Sequence, residues 1–328
     1  MHSPGVGRFR PRPVWPLTPW PRKPYVFRPP QTVKAMTVCV AVISQRNRII
    51  CASDRMLTIL GMQFEPPTSK MYYESRGGCA FLYATEDAGL SDEVISHTIA
   101  ALAQRPTKYR VEEAAEAYAL AYRRAADRRI EAGALGKFGV RLADLRAPGT
   151  LPPEMRSKAL RLIDQYKVPE TECIIAGVNP SGGAELWTAR NGEVTPANVP
   201  AFAVIGGGYD HAYSELMCRG CHLDIEPAHA LFLAYKAKRR ADEIVTGVGK
   251  NTDMCIIGPR PGDFVPPQPW FQMMGGLYDE LRQTERRGFE DAVAKTTAMF
   301  NATWPATPPP SLSPPPAPES PPAPTHDP

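Results

Sequence analysis

The chain has 328 residues, enough for one large or two ordinary domains whose core needs neither disulfides nor metal. No apolar run reaches the roughly 18 to 20 residues that a membrane span needs. The net charge of +4 comes from the N-terminus, because residues 1–35 carry seven Lys or Arg and no acid, while residues 36–302 carry a net charge of −1. We therefore expect no nucleic-acid-binding face and no membrane partner.

Both ends of the chain are rich in proline. Nine of the 37 prolines lie in residues 1–35 and twelve lie in residues 305–328. Such density favours an extended chain that packs no core, so we predict a disordered arm at 1–35, a folded domain at 36–302 and a disordered tail at 303–328. The arm is interpreted as a contact for an anionic or proline-recognising partner, as a pro-segment, or as sequence upstream of a true start at Met36.

The compartment is inferred from what the N-terminus and the cysteines indicate. Prolines interrupt the apolar segment that a secretory signal would need. The seven cysteines are scattered and odd in number, which fits a reducing compartment better than a disulfide framework. A cytoplasmic location is therefore predicted.

Short apolar runs and helical periodicity predict the elements of the folded part. In chain order they are strands over 37–43, 48–53 and 79–84, helices over 88–104, 111–132 and 154–166, strands over 172–178, 184–190 and 202–205, helices from 209 and over 226–245, a strand over 253–257 and a helix over 280–300. This order lacks the strict alternation of a doubly wound sheet. It predicts an α+β protein built as a four-layer αββα sandwich, with two stacked and largely antiparallel sheets covered by helices.

Three polar residues near the start of the predicted folded domain are candidates for chemistry. Thr37 begins the first strand, Asp54 follows the second in ASDRMLT, and Lys70 lies in SKMYY. Each has an ordinary interpretation: Thr37 as a strand residue, Asp54 as a turn residue or a partner of Arg55, and Lys70 as a surface lysine. Together they suggest a hydroxyl nucleophile activated by charged neighbours.

With these three residues, the chain resembles the proteasome β-subunit family and the related heat-shock-locus peptidase of bacteria, which are N-terminal-nucleophile hydrolases. It looks closest to uncharacterised proteasome-like proteins of bacteria. The resemblance covers about residues 37 to 259 and includes the segments TARNGEV, FAVIGGGYDHAYSEL and GKNTDMCIIG. It implies that Thr37, as a mature N-terminus, is the nucleophile and that Asp54 and Lys70 assist it.

The chemistry of this trio follows from ordinary pKa values. A free α-amino group on Thr37 has a pKa of about 7.7–8.0, so it accepts a proton from the hydroxyl near neutral pH. General-base help of this kind contributes roughly 10²–10⁴ in rate. Lys70 supplies a positive charge that lowers the pKa of the amine or the hydroxyl, and Asp54 holds Lys70 in place. Backbone N–H groups after the strand at 79–84 are expected to stabilise the oxyanion, a contribution of roughly 10²–10³ per donor.

The chain departs from the family pattern at several positions. The step from Thr37 to Asp54 is one residue longer, so a bulge or an altered turn must absorb it, and Met36 stands where the family usually has Gly. The oxyanion glycine of the family falls near Thr85, and its active-site serine falls near Gly207. Valines occupy the place of the usual Asp and Ser before the last strand. These departures support a second hypothesis, a catalytically inactive proteasome-like structural or binding subunit.

Two further motifs have ordinary interpretations. The CRGCH string at Cys218–His222 matches a c-type haem attachment motif and half of a zinc site. Haem attachment requires export, and no second Cys pair completes four zinc ligands, so we interpret these cysteines as structural thiols, with a redox pair or a metal as the alternative. The Gly206–Gly208 run lacks the Lys and Ser/Thr that follow in a phosphate-binding loop, so it predicts a tight turn into a helix.

The sequence therefore predicts a threonine-type peptidase or amidohydrolase that uses no metal and no organic cofactor. Its partner is a peptide or amide substrate. The resemblance also implies a homo-oligomer, with a ring as one possible form. A small-molecule amidase of the same fold is a third hypothesis, and nothing in the sequence identifies the substrate.

Overall fold

The computed structural model describes residues 37–59, 62–74, 76–105, 108–258 and 265–303. The strands in these residues are β1 (Cys39–Ser44), β2 (Arg48–Asp54), β3 (Leu57–Ile59), β4 (Met62–Phe64), β5 (Met71–Glu74), β6 (Cys79–Thr85), β7 (Thr171–Val178), β8 (Ala184–Arg190), β9 (Glu193–Pro196), β10 (Phe202–Ile205) and β11 (Thr252–Ile257). The helices are α1 (Ala88–Ala103), α2 (Val111–Ile130), α3 (Leu142–Arg146), α4 (Pro153–Gln165), α5 (Tyr209–Cys218), α6 (Pro227–Ile244) and α7 (Gln268–Thr303). The predicted N-terminal arm at 1–35 lies outside the described residues, as does the tail beyond Thr303.

The first sheet has the strand order β10-β1-β2-β11, and each neighbouring pair is antiparallel. β1 is buried along its whole length, as expected for a short continuous apolar run. Its register with β2 pairs Cys39 with Ser53 and Ser44 with Arg48. This register brings the start of β1 beside the end of β2, where Thr37 and Asp54 lie.

The second sheet has the order β5-β6-β7-β8-β9 and is also antiparallel. The β8–β9 hairpin turns at Asn191 and Gly192, which both have positive φ, 50° and 79°. A two-residue turn of this type needs positive φ at both central positions, which is why Asn-Gly favours it. The hairpin expected from this dipeptide is confirmed.

Three apolar clusters describe how these elements pack. One cluster contains side chains from both sheets, including Ile43, Ile49, Leu82 and Ile174. A second joins the other face of the first sheet to α5, α6 and α7, and a third joins the other face of the second sheet to α1 and α2. The alternation of side chains along each strand produces these two faces. The α+β class is confirmed, with antiparallel sheets.

The structure differs from the predicted elements in the short strands and in the last helix. β3, β4 and β5 are only three or four residues long and carry too little pattern to be recognised. α7 begins at Gln268, twelve residues before its predicted start. Pro269 is tolerated because it lies in the first turn, where its missing N–H has no helical partner. The Gly275-Gly276 pair has a low helix propensity, and for this reason the first half of α7 was not predicted.

The carboxylate of Glu74 accepts hydrogen bonds from the β5–β6 turn, and these bonds make the stability of the fold depend on pH. Its buried carboxylate accepts the N–H groups of Arg76 at 3.0 Å and Gly77 at 2.8 Å and the hydroxyl of Tyr109. Burial acts to raise the pKa of Glu74, but the hydrogen bonds from Tyr109 and the two N–H groups outweigh it and lower the pKa. A carboxyl whose pKa is lowered by folding stabilises the fold above its unfolded pKa, and this contribution is lost as pH falls.

We expect Glu74→Gln to lower the free energy of unfolding at pH 7 by about 1–3 kcal/mol, the usual value of hydrogen bonds to a charged group. The difference from the wild type should shrink as pH falls below about 4.3, because the unfolded wild type then takes up a proton more readily than the folded protein, in which the pKa of Glu74 is lowered. Urea unfolding at pH 7 and pH 3.5 measures both differences. An equal difference at the two pH values would show that the charge of Glu74 has no role.

Candidate functional site

Thr37 lies immediately before β1, against the turn that follows β10. Its carbonyl oxygen accepts the N–H of Gly208 at 3.1 Å. Gly206 lies so close that a Cβ built on it would be 2.4 Å from that carbonyl oxygen. The turn at Gly206–Gly208, which leads into α5 as predicted, therefore sets the position of the Thr37 backbone.

Asp54 is the last residue of β2 and is fully buried. Its Oδ1 accepts the Thr37 hydroxyl and the N–H of Val38, the latter at 3.2 Å. Its Oδ2 accepts the N–H groups of Met56 at 3.0 Å and Gly249 at 2.8 Å. A buried carboxylate with this many donors is held in one orientation.

Lys70 reaches this carboxylate from the second sheet. It precedes β5, and its carbonyl accepts the N–H of Tyr83 in β6 at 3.3 Å. Its Nζ donates to the Thr37 hydroxyl oxygen and, at 3.0 Å, to Asp54 Oδ1. Relative exposures are 3% for Thr37, 0% for Asp54 and 3% for Lys70. The structure thus brings the three predicted residues together, at a point where the two sheets meet.

Lys70 is buried and is therefore no surface lysine, whereas Asp54 keeps one feature of a turn residue, since its carboxylate accepts the N–H of Met56 two residues on. Arg55 pairs with Asp253, with 2.8 Å between Nε and Oδ1, while Asp54 pairs with Lys70. In the β1–β2 turn Gln45 and Arg46 have positive φ, and the strand register between Thr37 and Asp54 continues without a bulge.

Thr85, which was predicted near the oxyanion position, is the last residue of β6, and its hydroxyl makes hydrogen bonds to neighbouring backbone groups. Its hydroxyl lies 3.0 Å from the carbonyl oxygen of Asp87 and 3.2 Å from that of Glu170. The N–H of Asp87 donates to the Thr85 hydroxyl at 3.0 Å, and the N–H of Glu86 donates to the Glu170 carbonyl at 3.1 Å. Two of the N–H groups that follow β6 therefore have acceptors within the protein.

Gly207, the second predicted pocket residue, lines a cavity of about 600 Å³ whose wall does not include Thr37, Asp54 or Lys70. The cavity lies between β10, the start of α5 and the strands β7 and β8. Gly206 is part of its wall, and the N–H of Gly206 donates to Glu172 at 2.8 Å. Thr37 lies directly behind Gly206, since a Cβ there would be 2.9 Å from Thr37 Cγ2.

The cavity wall combines aromatic and acidic side chains. Phe202 packs edge-on against Tyr213, and Tyr209 stacks on Tyr213, with ring centroids 5.1 Å apart in both pairs. The charged residues of the wall are Glu86, Glu170, Glu172, Asp210 and Arg190. Carboxylates therefore outnumber the single guanidinium among these wall residues.

Burial raises the pKa of two thiols that the sequence brings into question, Cys39 near the site and Cys221 between α5 and α6. Cys39, two residues beyond Thr37, is fully buried, and burial raises the pKa of its thiol far above the ordinary value. Cys221 of the CRGCH string is half-buried, and burial raises its pKa to about 11. Among the described residues, no group of three His, Cys, Asp or Glu side chains is arranged to hold a metal ion.

Two residues at the site were missed by the sequence analysis. Gly249 donates its N–H to Asp54, and Lys238 of α6 holds the same segment by donating to the carbonyl oxygens of Gly249 and Lys250. A signal for Lys238 exists, because it lies four residues after Ala234 and three before Ala241 on the buried face of α6.

Solved structures with a similar fold include two that match over most of this chain. A structure described as an Anbu (Gly-1) mutant from Hyphomicrobium sp. strain MC1 is 18% identical, covers 76% of this chain and 96% of its own, and has a TM-score of 0.53. A structure described as Anbu (ancestral beta-subunit) from Yersinia bercovieri is 14% identical, covers 80% of this chain and 97% of its own, and has a TM-score of 0.52. The chain has an Anbu-like fold. At these low identities the likeness is one of fold alone.

Comparisons at the sequence level add no family. A scan against models of protein families gives no match, and a search of curated proteins finds no relative. Within the described residues, no helix is long and apolar enough to cross a bilayer.

The assignment to the proteasome β-subunit family of N-terminal-nucleophile hydrolases is wrong. The matching solved structures are Anbu proteins, which form a distinct family and are proteasome-like by name. The residues before Thr37, on which that assignment depends, lie outside the described part of the chain. The relation that stands is the Anbu-like fold.

Proposed function

We propose that the protein hydrolyses peptide or amide bonds with Thr37 as the nucleophile. One observation carries the proposal: the Thr37 hydroxyl is in hydrogen-bond contact with both Lys70 and Asp54 in a buried setting. A buried, hydrogen-bonded hydroxyl beside an ammonium group is the arrangement that activates an alcohol for attack on a carbonyl.

The reaction begins when the hydroxyl oxygen of Thr37 attacks the carbonyl carbon and its proton passes to a base. The α-amino group of a processed Thr37 is that base, and it returns the proton to the leaving amine as the C–N bond breaks. The resulting ester is hydrolysed by water, which releases the acid and restores the hydroxyl. Lys70 stabilises the negative charge that develops on the Thr37 oxygen, and Asp54 keeps Lys70 oriented. Each step uses side chains, the α-amino group of Thr37 and water, with no cofactor.

This mechanism requires removal of everything before Thr37. Processing by the protein itself or removal of Met36 from a chain that starts there produces the same free amine. The test compares intact masses of proteins expressed from Met1 and from Met36, each with and without Thr37→Ala, and assays hydrolysis of peptide amides and simple acyl amides. We expect hydrolysis only from a wild-type protein whose mass corresponds to a start at Thr37.

The alternative function is that of a non-catalytic proteasome-like structural or binding subunit. It would be supported if a folded protein that starts at Thr37 hydrolyses none of these substrates. The occupied N–H groups of Glu86 and Asp87 favour this second function, since an oxyanion needs free donors. Activity on simple acyl amides alone would indicate an amidase.

We also propose that residues 36–302 form one domain with four layers, and that copies assemble into a homo-oligomer with a ring as one form. The packing of helices on the outer faces of both sheets supports the four-layer domain.

The description of a fold neighbour as an ancestral beta-subunit supports the assembly into a homo-oligomer. Exposed apolar side chains at Phe289, Val293 and Met299 of α7 fit a subunit contact. Light scattering measures the assembly.

The cavity beside Gly206 is proposed to receive a substrate side chain, and its charge predicts a preference. Because carboxylates outnumber Arg190, amides of basic residues should be hydrolysed about tenfold faster than amides of acidic residues, the scale expected for partly exposed charges. Asp210→Asn should reduce this ratio, while Asp164→Asn on α4, remote from the lining, serves as the control. An equal kcat/KM for basic and acidic substrates would contradict the proposal.

A further inference from the structure

Lys238 is a buried lysine with an unusual set of partners. It lies on α6 and is 0% exposed. Its Nζ donates to the carbonyl oxygens of Gly249 at 2.6 Å and Lys250 at 3.0 Å and pairs with Asp242 at 2.9 Å. A buried ammonium group is stable only with such compensation, so these bonds fix the segment that leads from α6 into β11.

That segment reaches the site through one backbone group. The N–H of Gly249 donates to Asp54 Oδ2 at 2.8 Å, on the oxygen opposite the one bound by Thr37 and Lys70. The carbonyl and the N–H of Gly249 are thus held by a lysine and a carboxylate, respectively. The position of Gly249 therefore determines one of the hydrogen bonds that orient Asp54.

The fit at Gly249 is tight. A Cβ on Gly249 would lie 2.2 Å from Glu65 Oε1, 2.9 Å from the backbone nitrogen of Met56 and 3.1 Å from Asp54 Oδ2. Only glycine brings its N–H this close to the carboxylate without displacing Met56, which itself donates to Asp54. Lys238 and Gly249 therefore act as one unit on the same side of Asp54.

We propose that Lys238 is a positioning residue for the site: it locks the segment around Gly249, whose N–H orients the Asp54 carboxylate for Lys70 and Thr37. The consequence for reactivity rests on the proposed function, whereas the structural link to Asp54 does not.

α6 itself provides a matched control. Lys236 is 2% exposed and pairs with Glu215 at 2.9 Å and Glu285 at 3.2 Å. It is as buried as Lys238, carries the same charge and lies two residues away, but its partners belong to α5 and α7. Loss of either lysine removes one partner of a carboxylate, which keeps an arginine partner in each case, so a general loss of stability affects both variants.

The test compares Lys238→Met and Lys236→Met with the wild type by hydrogen exchange of peptides that contain Val38, Met56 and Gly249, whose amides all donate to Asp54. We expect Lys238→Met to exchange about tenfold faster or more at these amides, because local opening becomes easier, and Lys236→Met to match the wild type there. Equal exchange in the two variants would overturn the proposal.

A second readout uses the rate at which a β-lactone acylates Thr37. Lys238→Met should lower the maximal acylation rate about tenfold to a hundredfold and leave the concentration dependence of inhibitor binding unchanged, since orientation rather than binding is lost. If Lys238→Met does not fold, Gly249→Ala provides the comparison, because it displaces the residue that Lys238 holds and that donates to Asp54. Absence of acylation in the wild type contradicts the proposed function, while the exchange result still decides the role of Lys238.

Discussion

Lys70→Met is expected to slow acylation of Thr37 by at least about a hundredfold, the usual loss when one donor to a developing oxyanion is removed. Lys70 donates to the Thr37 hydroxyl oxygen and to Asp54, and methionine has nearly its length without its charge. The same change leaves the Asp54 carboxylate buried with the Thr37 hydroxyl and backbone N–H groups as donors but with no positive charge as a partner. Breaking a buried ion pair in this way costs about 3–5 kcal/mol of stability.

The double variant Lys70→Met with Asp54→Asn separates these two effects. Removing both charges relieves the uncompensated carboxylate, so most of the lost stability should return. Acylation should stay slow, because neither an ammonium group nor a carboxylate faces Thr37. Urea unfolding and the acylation rate, measured on both variants, give the comparison. Recovery of acylation together with stability would mean that Lys70 serves the fold alone.

The second large effect is expected at Gly206, which separates the cavity from Thr37. Gly206 has φ +92°, and a Cβ there would lie 2.4 Å from the Thr37 carbonyl oxygen. Because a backbone atom is the obstacle, Thr37 must move. A displacement of about 1 Å at a reacting group costs on the order of a hundredfold in rate, so Gly206→Ala should slow acylation by that amount.

Gly182 is the matched control for this substitution. It has φ +94°, and a Cβ there would meet nothing within 4 Å. Gly182→Ala should therefore cost only the conformational strain, about 1–2 kcal/mol, and leave acylation unchanged. Gly206→Ala should cost about 1–3 kcal/mol more, as overpacking does. Equal stability and equal acylation in the two variants would show that the contact between Gly206 and Thr37 is unimportant.

Much of the fold follows from local pattern. The continuous apolar run of β1, the Asn191-Gly192 turn and the long periodic stretches of α1, α2 and α6 were predicted to within a few residues of their observed bounds. The short strands β3, β4 and β5 were missed because three or four residues show no reliable period. The first half of α7 was missed because propensity assigns Gly275 and Gly276 to a break, whereas Gly275 lies close to the hydroxyl of Tyr235 on α6.

The site was predictable in part, through residues at strand ends. Thr37, Asp54 and Lys70 were predicted as a group, and the antiparallel pairing of β1 with β2 brings the first two side by side. Lys238 and Gly249 were not predicted, because a lysine is normally solvated and a backbone N–H carries no side-chain signal. The family assignment failed because the three polar residues and the glycine-rich segments do not separate related proteasome-like families.

The central claim is tested most directly by mapping the adduct of a β-lactone on a protein whose mass shows that it starts at Thr37. The account predicts one adduct, an ester on the Thr37 hydroxyl, forming faster as pH rises to about 8 and the α-amine loses its proton. Thr37→Ala should form none, and Thr37→Ser should form the same adduct on the serine hydroxyl. A folded protein beginning at Thr37 that forms no ester at that residue, or that reacts equally as Thr37→Ala, would contradict the account.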